Sequence, residues 1–215
     1  MINGIIFDMD GVLCDSEPFI SEAAVRMFRE TYGVAVQHAD FLPFVGTGEN
    51  RFIGGVAEKY GVSVQIERDK ARVYAIYLEI IRGRLEPLPG VLTFVQSCRT
   101  RGLKLAVATS ADRIKMDGNL AQIGLPVSSF DVVVTGSDIA KKKPDPEIFL
   151  TAAQRMGLPN SACLVIEDAV SGVKAGVAAG SPCLGITTSY PAEALREVGA
   201  KWTAPDLAHF PAGIL

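Results

Sequence analysis

Gly4-Ile5-Ile6-Phe7-Asp8-Met9-Asp10-Gly11-Val12-Leu13 runs apolar for four residues, breaks into two carboxylates two positions apart, and turns at a glycine. A short apolar run that stops at a polar loop reads as a strand buried on both faces. Four further runs share its Val/Ile/Leu character: Leu103 to Ala108, Val132 to Val134, Leu164 to Ile166 and Leu184 to Ile186. Between them lie stretches with helical spacing: Val91 to Arg101, Ile114 to Ile123, Pro146 to Met156, Val170 to Ala179 and Ala192 to Val198. Many of these stop at a glycine (Gly102, Gly124, Gly157, Gly180, Gly199), the residue best suited to a left-handed helix end. Continuously apolar strands alternating with helices predict an α/β fold on a parallel sheet.

One interval breaks the alternation. Between the first strand and Pro89-Gly90 no strand is convincing, and helical spacing dominates. Ser16 is placed as an N-cap with Pro18 in the first turn, and Phe19, Ala23 and Met27 recur every four residues before Gly33. A second helix fits Glu49 to Tyr60, and a third fits Glu67 to Ile81. The expected organisation is a core domain of residues 1–15 and 84–215, with residues 16–83 inserted as a small all-helical domain over the sheet.

Composition narrows the function. The chain has 215 residues, 48% hydrophobic and 21% charged, with a net charge of −3, which fits a folded domain and lacks the basic footprint of a nucleic-acid binder. The longest uncharged stretch, Ala175 to Ala192, is interrupted by Gly180, Ser181, Pro182 and Thr187, so no membrane span is expected. MINGIIFDMD lacks the basic start of a signal peptide. Cys14, Cys98, Cys163 and Cys183 have no paired spacing and read as reduced core thiols, which points to a cytoplasmic setting.

Loops at the C-terminal ends of parallel strands gather on one edge, where ligands bind. Asp8 and Asp10 follow the first run, Thr109 and Ser110 the second, Lys141, Lys142 and Lys143 lie beyond the third, and Glu167 and Asp168 follow the fourth. Singly, each such residue is a helix cap or a loop charge. Together they bring several carboxylates, a hydroxyl and a lysine to one rim. Converging carboxylates repel unless a hard divalent cation is present, and Mg²⁺ is the implied ion. Asp8 and Asp10 suit two-carboxylate chemistry, in which one attacks an electrophile and the other protonates the leaving oxygen and later activates water.

Four ordered segments carry a family resemblance: Asp8-Met9-Asp10-Gly11-Val12-Leu13, Ala108-Thr109-Ser110, Lys143-Pro144-Asp145-Pro146-Glu147-Ile148-Phe149, and Ile166-Glu167-Asp168-Ala169-Val170-Ser171-Gly172. At these residues the chain resembles the haloacid dehalogenase superfamily, in its phosphatase and β-phosphoglucomutase-like branch, over nearly its whole length. The resemblance implies a Rossmann-like parallel core with a mobile helical cap, and an Mg²⁺-dependent phosphatase acting on a small phosphorylated metabolite through an aspartyl-phosphate. It makes Asp8 the nucleophile, Asp10 the acid/base, and Thr109 and Lys143 the phosphoryl-holding pair. The metal set is then Asp8, Asp10 through its backbone carbonyl, Asp168 and nearby Glu167, with Ser110 and the cap residues Thr47, Glu49, Asn50 and Arg51 as candidates for substrate contacts.

The rival readings are a sugar-phosphate mutase and a regulatory domain without turnover. Mutases of this branch carry a histidine where this chain has Ile20, and a cap arginine where it has Glu49, which favours the phosphatase. The cap segment from Asp40 to Glu49 and the stretch Ser110 to Lys115 also resemble the dehalogenase-like domain of a larger plant protein. A plastid stroma becomes the expected location if the chain is such an excised domain; otherwise a cytoplasmic monomer is expected. His38 and His209, each isolated, and Trp202 read as structural, and Lys141 and Lys142 as a solvated run. Gly46-Thr47-Gly48 lacks the context of a dinucleotide fingerprint.

Overall fold

The computed structural model describes residues 1–44 and 48–215. Six strands, β1 (Gly4–Phe7), β2 (Lys104–Ala108), β3 (Val132–Val134), β4 (Cys163–Glu167), β5 (Cys183–Ile186) and β6 (Trp202–Ala204), form one sheet in the order β3-β2-β1-β4-β5-β6. Every pairing is parallel. The sheet is the α/β, Rossmann-like core the apolar runs predict, with one addition. β6 pairs with β5 through Leu184–Trp202, so Trp202, read as a lone packing residue, belongs to an edge strand.

Five helices connect the strands: α4 (Val91–Thr100), α5 (Arg113–Gln122), α6 (Glu147–Met156), α7 (Val170–Ala178) and α8 (Ala192–Glu197). The three that precede them, α1 (Glu17–Tyr32), α2 (Glu49–Tyr60) and α3 (Ile66–Ile80), all fall between β1 and α4. Side chains alternate across the central strand. Ile5 and Phe7 face a core shared with α4, α5 and the α1–α3 segment, while Ile6 faces a second core built with α6 and α7. On that second face Ala106 and Ala108 leave room for Ile148, Phe149 and Met156 of α6. Burying each such large apolar side chain contributes about 1.5–3 kcal/mol.

The α1–α3 segment has its own buried surface, including Met27, Phe28, Phe41, Ile53, Ile76 and Tyr77, which is continuous with the first core. It docks on α5 through α3: Tyr77 donates to Asn119, Lys70 pairs with Asp112 at 3.2 Å, and Leu78 lies where a Cβ on Gly118 would come within 2.4 Å. The chain leaves and re-enters the core at neighbouring points. Cys14 forms an antiparallel bridge with Pro87, and the Leu88 amide donates to the Leu13 carbonyl at 3.0 Å.

Candidate active site

β1 lies between β2 and β4, and strand order reverses there, which is where a parallel α/β sheet opens a ligand crevice. Phe7 pairs with Val107 and with Ile166, so the residues that follow these strands reach the crevice side by side. Asp8, Thr109 and Asp168 are all buried there. The Asp8 amide is held by the Ile166 carbonyl at 2.9 Å, and the Thr109 amide by that of Val134 at 3.0 Å.

Lys143, from the loop after β3, reaches the same point and donates to Asp8 Oδ1 at 2.5 Å and Glu167 Oε1 at 2.7 Å. The other Glu167 oxygen accepts the backbone amides of Asp168 and Ala169, both at 2.9 Å, at the start of α7. With both oxygens engaged by donors, Glu167 fixes Lys143 against the turn into α7. Ser189, from the loop after β5, donates to Asp168, and Thr188 donates to the Gly11 carbonyl at 2.6 Å. Gly11 has φ of 75°, and a Cβ there would lie 2.0 Å from Asp168 Oδ2, so backbone geometry and space both require glycine. The α7 helix comes equally close: a Cβ at Gly172 would sit 1.7 Å from Glu167 Oε1.

Asp8, Glu167 and Asp168 each bring a carboxylate oxygen within 4.8 Å of the others. Burial, reinforced by Glu167 and Asp168 and opposed by Lys143, raises the Asp8 carboxyl well above its usual value. Burial and then Glu167 push Asp168 up to about 7. Burial works against the charge on Lys143, but Asp8 and Glu167 outweigh it and hold the ammonium above its ordinary range. Three acids facing one lysine leave negative charge unbalanced, and every candidate donor atom in the cluster is a hard oxygen. Such a site fits a small divalent cation such as Mg²⁺.

The Asp10 carboxylate turns away from this cluster. Ser16 donates to its Oδ1, and Lys115 Nζ lies 3.0 Å from its Oδ2. The Asp10 carboxylate is therefore no part of the acidic cluster, and the metal contact expected of Asp10 from the sequence is through its backbone carbonyl. Ser16 starts α1 as expected, but its hydroxyl binds Asp10 in place of capping the helix.

A cavity of about 650 Å³ joins these groups to the helical segment, lined by Asp8, Thr109, Ser110 and Lys143 at one end and by Glu17, Ile20, Phe44, Glu49 and Phe52 at the other. Of the expected substrate contacts, Ser110 and Glu49 line it. Asn50 and Arg51 do not: Asn50 accepts from Lys70 at 2.9 Å, and Arg51 pairs with Glu58 at 2.9 Å beside the Phe44 ring. They sit in the first turn of α2, whose apolar side is buried, and that rotation sends them outward. Thr47 lies outside the described residues. Lys142, read as part of a solvated run, lines the cavity and donates to the Gly136 carbonyl.

Sequence reasoning missed Lys115. Its side chain is 3% exposed and meets Asp10 at 3.0 Å and Glu17 at 3.6 Å. The signal was its place one turn into the helix after the second motif, though its burial depends on α3 lying over α5. All four cysteines are buried and unpaired, and His38 is an exposed partner of Ser21 at 2.9 Å.

Comparison with known proteins agrees with this geometry. The model of haloacid dehalogenase-like hydrolases matches residues 2–180. Protein SUPPRESSOR OF QUENCHING 1, chloroplastic, of Arabidopsis thaliana is 42% identical over 97% of this chain, which spans 20% of that protein's length. The phosphorylated carbohydrates phosphatase of Thermotoga maritima is 32% identical, covering 93% of this chain and 92% of its own. The crystal structure of CbbY from Rhodobacter sphaeroides in complex with phosphate superposes with a TM-score of 0.83 over 97% of this chain and 96% of that one, at 24% identity, a likeness of fold. No helix among the described residues is long and apolar enough to cross a membrane. With the four motifs meeting at one sheet edge and the family model covering most of its length, the chain belongs to the haloacid dehalogenase-like hydrolases.

Proposed function

We propose that the protein is a phosphatase that hydrolyses a small phosphate monoester through an aspartyl-phosphate on Asp8. The observation that carries this reading is the placement of Asp8 at the end of β1, hydrogen-bonded to a buried lysine and beside two further buried acids, with a second carboxylate two residues on. An Asp8 oxygen attacks phosphorus and the bond to the leaving oxygen breaks. Asp10 supplies the proton that oxygen needs. A water then attacks the aspartyl-phosphate while Asp10 takes its proton, releasing inorganic phosphate and restoring Asp8.

Two anions repel in the first step, and Lys143, together with the Thr109 and Ser110 hydroxyls, counters this by holding the phosphoryl oxygens. Asp8 and Asp168 would hold Mg²⁺, with Glu167 at hand, and the ion would supply the remaining positive charge. Residues 16–83 act as a cap: α1 and α2 contribute Glu17, Ile20, Glu49 and Phe52 to the cavity wall opposite the catalytic loop, where they exclude water.

The test is phosphate release from metabolite phosphates and a generic aryl phosphate, by wild type and Asp8→Asn, with Mg²⁺ and with chelator. Turnover that requires both Asp8 and Mg²⁺ is expected. Turnover retained by Asp8→Asn would overturn the mechanism.

A further inference from the structure

The cavity is divided by charge. At the phosphoryl end stands Lys143, already shared between Asp8 and Glu167. At the leaving-group end three carboxylates besides Asp10 line the wall: Asp15 from the loop after β1, Glu17 from the first turn of α1 and Glu49 from the first turn of α2. One ammonium, Lys115, stands among them, paired with Asp10 and Glu17. Among the described residues no lysine or arginine forms an ion pair with Glu49 or Asp15. Burial, opposed by the Lys115 ammonium, raises the carboxyls of Glu17 and Glu49 above their ordinary values.

Among the described residues no other lysine or arginine lines this end. Arg51 is turned onto Glu58 and Lys70 onto Asp112 and Asn50, while Lys142, whose ammonium meets only the Gly136 carbonyl, lies beside Ser110 at the phosphoryl end. A second phosphate or a carboxylate on the leaving group would therefore meet several acids in a partly enclosed cavity and, among the described residues, no ammonium or guanidinium at that end beyond the already paired Lys115. A positively charged leaving group would find the opposite.

Resting on the phosphatase reading, we infer that the enzyme selects phosphate monoesters whose leaving group carries an ammonium and rejects those bearing a second anion, with Glu49 as a specificity-determining residue. The wall repels a second anion as it would any like charge held a few ångströms away under partial screening. That repulsion is worth about one to two powers of ten in rate, and salt weakens it.

Three two-carbon esters isolate the charge: 2-aminoethyl phosphate, 2-hydroxyethyl phosphate and phosphoglycolate. We expect kcat/KM to fall in that order, at least tenfold from first to last, with the gap narrowing in high salt. Glu49→Gln should shrink the ratio severalfold, whereas Glu197→Gln, exposed on α8 and away from the cavity, leaves it in place. Affinities of the three esters for Asp8→Asn, read by calorimetry, should follow the same order without turnover. Phosphoglycolate handled or bound as well as 2-aminoethyl phosphate would overturn the inference, as would a ratio indifferent to Glu49→Gln. Failure of the phosphatase reading looks different: no phosphate is released from any ester or from the aryl phosphate, while the binding order still decides the charge preference.

Discussion

Replacing Lys115 with methionine removes a charge while keeping most of the packing volume, and the structure sets the size of the effect. The Nζ to Asp10 contact of 3.0 Å corresponds to about 5 kcal/mol of gross attraction at an effective dielectric constant of about 20. Much of that offsets the cost of burying the ammonium. Leaving a fully buried partner uncompensated costs about 3–5 kcal/mol. The side chains of Asp10 and Glu17 keep 22% and 32% of their exposure, so water recovers part of the loss and about 2–3 kcal/mol is expected.

For a chain of this size that is a fall in Tm of about 5–10 °C by circular dichroism at neutral pH. Kinetics carry a second signature. Asp10 freed from Lys115 is misplaced for protonating an alkoxide, so kcat should drop about 100-fold or more on alkyl phosphates. An aryl phosphate with an acidic phenol needs little protonation and should lose less than about tenfold. An unchanged or raised Tm would refute the charge balance described for Lys115, and equal losses on both ester types would refute its link to Asp10.

Three other outcomes follow from the acidic cluster. Because Asp168 holds its proton more tightly folded than unfolded, the metal-free protein should lose stability as pH rises from about 4 to about 7, the interval between its ordinary and folded values. Mg²⁺ meets only ionised carboxylates, so the rise in Tm that it produces should be small at pH 5 and grow through pH 7, and a rise largest at pH 5 would contradict this account. Gly172→Ala should lower both Tm and phosphate release, the latter by about 100-fold, because its Cβ displaces Glu167 from Lys143 and the α7 amides. In most helix interiors the same change stabilises by up to about 1 kcal/mol, so an active and more stable variant would show that Glu167 is free to move.

The parallel sheet was legible because its strands are pure apolar runs that end in polar motifs, whereas the register of β1 against β2 and β4 is a finding of the structure. β6 was not. Trp202-Thr203-Ala204 is three residues long, follows a lysine and precedes a proline, too little for any periodicity to show. Asp8, Thr109, Lys143, Glu167 and Asp168 could be found because each stands directly after a strand or within a motif. Residues on helices were harder. Lys115 is buried by α3, which lies 35 or more residues away in sequence, and Asn50 and Arg51 face outward because the packing of Phe52 and Ile53 sets the rotation of α2. Sequence spacing locates a residue on a helix, and tertiary packing decides what it meets.

The bridge between Cys14 and Pro87 has a consequence for how such enzymes diversify. It places the two ends of residues 16–83 side by side, so that the whole helical segment is, to the sheet, one long loop closed at its base. Lengthening such a loop adds little closure entropy, and exchanging it leaves every strand pairing intact. On the proposed mechanism the groups that attack and hold the phosphoryl unit belong to the sheet edge, whereas most of those facing the leaving group belong to the loop. A lineage can therefore graft a different cassette between the same two crossings, and acquire a new clientele without rebuilding the chemistry beneath it.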